Sequence, residues 1–176
     1  MEDCSMKVLV KAAKSDKVGR KAIDATAGMG EDAFLLAAQG YEVTLYEQNP
    51  VIAALLKDAI RRARKNMELK EIANRMKVVE GNSVECMSKL LDPVDVIYLD
   101  PMFPARQKSS LINKKLQLIQ KLEPPCSEET DLFDAAIKAT PEKIIVKRPL
   151  KSEFLAGRKP SYTLNGKAIR YDCYTL

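Results

Sequence analysis

The sequence predicts an α/β protein, a seven-stranded and mostly parallel sheet with helices on both faces and a C-terminal β-hairpin. Three observations predict it. Short β-rich apolar runs alternate with longer runs of 3.6-residue period, the pattern of strands joined by crossover helices. Glycine or polar turn residues follow each β-rich run. Near the C-terminus, Asn165-Gly166 separates two further β-rich runs, which is a tight-hairpin signal.

The elements follow in order. Lys21 to Thr26 (KAIDAT) reads as a first strand, then a glycine turn and a helix to about Gln39, with Gly40 suited to its C′ position. Glu42 to Glu47 (EVTLYE) is a second strand; Asn49 then caps, and Pro50 opens, a long helix. Ile52, Leu55, Leu56, Ala59, Ile60, Ala63 and Met67 form its expected apolar stripe. Met76 to Glu80 is a third strand and Val84 to Leu91 a short helix. Val94 to Leu99 (VDVIYL) is nearly all apolar, as a central parallel strand should be. Two helical pieces, Ser109 to Leu122 and Glu128 to Ala139, flank Pro124-Pro125; Lys143 to Lys147 is a fifth strand. Ser161 to Leu164 and Ala168 to Thr175 make the hairpin. The expectation is one domain over residues 1–176, with residues 1–20 a short N-terminal segment.

Composition narrows the chemistry. Of 176 residues 46% are apolar and 30% charged, a globular profile with no apolar run long enough for a membrane helix and no signal-type N-terminus, so a cytoplasmic protein is expected. Histidine is absent, and Cys4, Cys86, Cys126 and Cys173 are scattered singly, so no metal site is expected. Without histidine the commonest general base at neutral pH is missing, leaving carboxylates, lysines, backbone groups or a cofactor. Arg106, Lys108, Lys114, Lys115 and Lys121 lie between Pro101 and Leu122 without an intervening acid, which suits either a solvated helix face or a rim for phosphates.

In open α/β sheets ligands bind beyond the carboxyl ends of the strands, so the residues after each strand are read together. Gly28-x-Gly30-x-x-Ala33 matches the glycine fingerprint of a nucleotide-type cofactor. Glu47, at the end of the second strand, is placed to accept hydrogen bonds from ribose hydroxyls, or to stabilise the helix that follows it. Asp24 separates a dinucleotide site from a methyl-donor site. A carboxylate there repels pyrophosphate but attracts the cationic amino-acid end of S-adenosylmethionine. The methyl-donor reading is preferred, and S-adenosylmethionine is the expected cofactor.

Asp100-Pro101-Met102-Phe103 resembles the Asp/Asn-Pro-Pro-Tyr/Phe motif of amino methyltransferases that act on bases, with Met in place of the second Pro. An exocyclic amine is a poor nucleophile because its lone pair is delocalised into the ring. Two acceptors, the Asp100 carboxylate and the Pro101 carbonyl, can hold its hydrogens and favour a pyramidal nitrogen, while Phe103 can stack on a base turned out of its helix. Lys147 and Arg148, ending the fifth strand, are candidates for contact with phosphates or base edges, together with Arg106 and Lys108.

DATAGMGEDAF, LYEQNPVIAALL, YLDPMFP followed by RQKS, and IVKRP resemble the RsmJ family, the 16S ribosomal RNA guanine-N2 methyltransferases. The likeness runs from about Ala22 to the C-terminus. It implies a Rossmann-like class I methyltransferase fold, S-adenosylmethionine as donor and a guanine 2-amino group in small-subunit rRNA as acceptor. It also implies cofactor contacts from Glu31, Asp32, Glu47, Gln48, Asn82, Ser83 and Asp100. Only about twenty residues precede the first strand, fewer than in family members, and Glu31 and Asn82 depart from the family's usual residues. Alternatives are methylation of adenine-N6 or of protein glutamine, an inactive RNA-binding homologue, and a dinucleotide oxidoreductase.

Overall fold

The computed structural model describes residues 4–15, 17–101 and 129–176. Among them, seven strands form one sheet in the order β3-β2-β1-β4-β5-β7-β6. The strands are β1 (Lys21–Asp24), β2 (Glu42–Glu47), β3 (Met76–Glu80), β4 (Val96–Leu99), β5 (Lys143–Pro149), β6 (Tyr162–Asn165) and β7 (Ile169–Thr175). The first five pair in parallel, while β7 runs antiparallel to both β5 and β6. Strand order reverses between β1 and β4, which makes their C-terminal ends the switch-point crevice.

Side chains alternate between the two faces, as the strand period of two requires. Ala22, Val43, Leu45, Val96, Tyr98 and Ile145 enter one core. Helices α1 (Cys4–Ala12), α2 (Glu31–Ala38), α3 (Pro50–Ala63) and α4 (Lys70–Asn74) cover it with Leu9, Leu36, Leu56, Ile60 and Ala73. Ile23, Ile97, Leu99, Ile144 and Val146 enter the other, under α5 (Ser83–Ser88) and α6 (Glu129–Lys138), which supply Met87, Leu132, Phe133 and Ala136. Among the described residues no helix is long and apolar enough to cross a membrane.

Local chemistry accounts for the element ends. Gly40 N–H donates to the Ala37 carbonyl at 3.0 Å and Tyr41 N–H to that of Leu36 at 3.2 Å, a complete Schellman ending for α2. The Asn49 side chain accepts from Val51 and Ile52 N–H at 3.0 and 3.3 Å, and Pro50 occupies the first turn of α3 as expected. Gly30 opens α2 at φ 75°, and a Cβ there would meet Leu56 Cδ1 at 2.7 Å and Leu45 Cδ2 at 3.4 Å. Only glycine meets both demands.

Several expectations need correction. Leu55 and Met67 do not join the apolar stripe of α3; they are exposed, and Ala53 is buried instead. The apolar period in the sequence runs on past Ala63, but the helix ends at its C-cap Arg64 and Met67 projects from the following turn. The hairpin is present, but Asn165 pairs with Arg170 and the tip is Lys167-Ala168. Gly166 lets the Ile169 carbonyl approach closely, since a Cβ there would lie 3.1 Å from it. Helix α1 buries Leu9, Ala12 and Ala13, and the Ala13 carbonyl accepts from the Tyr41 hydroxyl at 2.6 Å. The short α4 was not expected, and the helical piece Ser109 to Leu122 lies outside the described residues.

Replacing Gly30 by alanine should lower the urea unfolding midpoint by the equivalent of about 1–3 kcal/mol, from positive-φ strain and the Leu56 contact together. A midpoint unchanged from wild type would show that the turn relaxes freely.

Candidate active site at the strand-end switch point

The faces of the sheet decide which strand-end side chains meet. Asp24, Glu47, Asp100 and Lys147 share the parity of Ala22, Leu45, Tyr98 and Ile145, and so lie toward the face under α2. Arg148 takes the opposite parity, that of Val146.

The first turn folds back onto its neighbours. Ala25 N–H donates to the Tyr98 carbonyl at 3.0 Å and Ala27 N–H to that of Tyr46 at 3.2 Å. Gly28 N–H reaches Glu47 Oε2 at 3.0 Å, and Asn49 N–H reaches Glu47 Oε1 at 2.8 Å. Glu47 therefore ties the first turn to the second while buried. Each oxygen retains a second lone pair, so acceptance from ribose hydroxyls remains compatible with this role.

Asp24 is 1% exposed, and its Oδ1 accepts from Thr26 N–H at 3.1 Å. The Thr26 hydroxyl in turn accepts from Asp100 N–H at 2.7 Å, so one threonine links the ends of β1 and β4. Lys147 Nζ donates to Asp32 Oδ2 at 2.8 Å and to Asp100 Oδ2 at 2.9 Å. The Tyr98 hydroxyl donates to the same Asp32 oxygen at 2.7 Å.

Three carboxylates thus surround one ammonium group. Burial pushes Asp24 up to about 8, with Asp32 and Asp100 adding repulsion against the Thr26 hydrogen bond. Burial also raises Asp100, against the pull of Lys147. Desolvation opposes the Lys147 charge, but Asp100 and Asp32 outweigh it and its pKa lies above the usual lysine value. Burial, followed by Asp100 and Asp32, holds Tyr98 well above its ordinary range, so its hydroxyl stays a donor. The cluster carries one excess negative charge with Asp24 protonated and two with it ionised. Such a pocket fits a cationic ligand and disfavours pyrophosphate.

The structure brings Asp24, Gly28, Gly30, Asp32, Glu47, Asp100 and Pro101 to one edge, where Pro101 is buried and the Asp100 side chain is one-third exposed. Glu31 and Gln48 are exposed near their turns. Asn82 has a local duty: its side chain accepts from Val84 and Glu85 N–H at 2.9 and 3.4 Å and caps α5, whose first residue is Ser83. Two expectations about the basic residues change. Lys147 points into the carboxylates rather than toward a nucleic-acid backbone. Arg148 is 5% exposed and pairs with Glu129 at 3.0 Å on the far face, so its charge is committed inside the protein. Met102, Phe103, Pro104, Arg106, Lys108, Lys114, Lys115, Lys121 and Cys126 lie outside the described residues.

Thr26 and Tyr98 were missed by the sequence reading. The Thr26 hydroxyl meets Asp100 just past β4 and the Tyr98 hydroxyl meets Asp32 on α2, and no spacing within the chain announces either contact. Arg170 was missed as well. Its Nε pairs with buried Asp172 at 2.9 Å, and its Nη1 donates to the carbonyls of Pro149, Leu150 and Ser152, which pins the segment after β5.

A switch-point cleft lined by carboxylates, under a mostly parallel sheet closed by an antiparallel hairpin, defines the Rossmann-like methyltransferase class. A family profile described as "Putative SAM-dependent methyltransferase" matches residues 2–176, and the chain belongs to that family. It is 44% identical over 155 residues to ribosomal RNA small subunit methyltransferase J of Stutzerimonas stutzeri (strain A1501), covering 88% of this chain and 60% of that protein. It is 43% identical over 152 residues to the protein of the same name in Colwellia psychrerythraea (strain 34H), covering 86% of this chain and 56% of that one. These matches bear out the resemblance to the RsmJ family. The chain spans about 60% of the length of the first of these curated relatives. The crystal structure of a SAM-dependent methyltransferase from Neisseria gonorrhoeae superposes with a TM-score of 0.81 at 35% identity, covering 98% of this chain and 68% of that one.

The raised Asp24 has a consequence for stability. Between its ordinary value of 3.8 and about 8, the folded protein holds a proton that the unfolded chain has released, so this group makes stability fall as pH rises through that window. Asp24→Asn should therefore raise the melting temperature at pH 7–8, by a gain on the order of a few kcal/mol that vanishes below about pH 4. The same variant should bind S-adenosylhomocysteine more weakly by calorimetry. A melting temperature at pH 8 no higher than wild type would contradict the burial argument.

Proposed function

We propose that this protein transfers a methyl group from S-adenosylmethionine to the exocyclic 2-amino group of a guanine in 16S ribosomal RNA, free or within the small subunit. One observation carries the reading. Asp100 sits at the C-terminal end of the strand flanking the switch point, with its N–H held by Thr26, its carboxylate partly open, and Asp24 and Asp32 as neighbours. The names of the relatives support ribosomal RNA of the small subunit as the acceptor class. A cytoplasmic setting, where small subunits are made, accords with it.

The donor would be held by this chain's own acceptors. Asp24 and Asp32 face its cationic amino-acid end, while Glu47 and Gln48 meet the ribose. Glu31, Asn82 and Ser83, with the backbone at Gly28 and Gly30, complete the set. S-adenosylmethionine supplies a sulfonium-bound, electrophilic methyl group. On the acceptor side, the Asp100 carboxylate and the Pro101 carbonyl take the two amine hydrogens and direct the nitrogen lone pair away from the ring. As the nitrogen–carbon bond forms, the sulfonium carbon–sulfur bond breaks and the nitrogen sheds one hydrogen as a proton, for which Asp100 is the adjacent acceptor. No histidine is needed. Much of the acceleration would come from orientation, worth about 7–11 kcal/mol in well-aligned systems. Phe103 would stack on the base, and Arg106 and Lys108 would meet phosphates.

Incubation with labelled donor and undermethylated small subunits should place label in N2-methylguanosine after nucleoside digestion. Asp100→Ala should reduce the rate by about 100-fold or more. Full activity in that variant, or N6-methyladenosine as the product, would refute the assignment.

A further inference from the structure

We propose that Lys147 is the positioning residue for Asp100, holding one carboxylate oxygen so that the other is presented to the acceptor amine, and bracing the acceptor side against Asp32. This rests on the reading of Asp100 as the amine's acceptor. The register of β4 and β5 puts Tyr98 beside Ile145 and Leu99 beside Val146, and the next step brings Lys147 beside Asp100. Its side chain is three-quarters shielded, and its ammonium lies 2.8 and 2.9 Å from two carboxylates. That geometry is unlike a lysine offered to a phosphate, whose head stays in solvent.

The groups facing Lys147 explain why Asp100 needs it. Asp24 comes from β1, Asp32 from α2, and Tyr98 and Asp100 from β4, with Tyr171 of β7 beyond Tyr98. Lys147 is the one cation acting on this group among the described residues. With it removed, three carboxylates would confront one another in a shielded cleft. Asp100 would then take up a proton more readily or swing toward water. A protonated Asp100 oxygen becomes a donor and can no longer hold an amine hydrogen. Asp32 gives the strut its second end. One ammonium thereby spans the first turn, on the donor side, and the motif on the acceptor side.

The test uses Lys147→Met, the neutral near-isostere Lys147→Gln, and Lys147→Arg. In the ligand-free protein, carbon-detected NMR should show the Asp100 carboxyl titrating at higher pH in the Met and Gln variants than in wild type, with Lys147→Arg close to wild type. In the methylation assay at pH 7, Lys147→Met and Lys147→Gln should lose about 100-fold in kcat, while donor KM changes by less than about threefold. The loss should shrink as pH is raised, because ionised Asp100 is regained, and Lys147→Arg should restore most of the rate. Unchanged Asp100 titration in the neutral variants would overturn the proposal. So would a kcat within about twofold of wild type, or a loss equal at every pH, which would mark a purely structural role. The assignment of Asp100 fails separately: full activity of Asp100→Ala removes that reading whatever the Lys147 variants do, whereas an inactive Asp100→Ala beside unaffected Lys147 variants removes only this one.

Discussion

The site depends on a charge imbalance that the fold holds in place. Asp24, Asp32 and Asp100 converge on a single ammonium, so the cleft remains negative after all its internal ion pairs are made. Excess charge of one sign in a shielded place costs stability, and the elevated Asp24 is the local expression of that cost. A cationic ligand relieves it. The same imbalance that costs stability therefore favours a sulfonium donor and disfavours anionic dinucleotides.

Such an arrangement needs a rigid frame, and hydrogen bonding between turns provides it. Glu47 joins the first turn to the second, Thr26 joins β1 to β4, and Lys147 joins β5 to both β4 and α2. Each link is between elements far apart in sequence, so the site exists only when the sheet is assembled. Beyond β5, the buried Arg170–Asp172 pair plays a similar part by gathering the carbonyls of the next segment. A buried pair of this kind contributes little net stability by itself, and its role here is to hold the carbonyls of this segment in one arrangement.

A histidine-free site of this kind suits a reaction that needs acceptors more than a strong base. Methyl transfer from a sulfonium to an amine requires a directed lone pair and a place for one proton after the bond has formed. A carboxylate poised between burial and a lysine can serve both needs, which gives the β4–β5 contact a chemical meaning beyond its share of the sheet.

Much of this was legible in the residues alone. Alternating periodicities specified the seven strands, Asn49-Pro50 and Gly40 marked helix ends through local hydrogen bonding, and Asp100 and the glycine turn, read as strand-end residues, come together at the switch point. These signals are local, since a cap, a strand period or a strand-end motif acts over a few residues. The orientation of Lys147 and Arg148 was decided elsewhere. They are adjacent in sequence, yet strand parity sends one into the carboxylates and the other to Glu129 on the opposite face. Their place at the end of the fifth strand makes both of them candidate RNA contacts in the sequence, because a positive charge carries no label for its partner. Helix α1, the hairpin tip at Lys167-Ala168, and the roles of Thr26 and Tyr98 likewise depended on strand order and register. Those are properties of non-local pairing, and they come into being only when distant segments share one core.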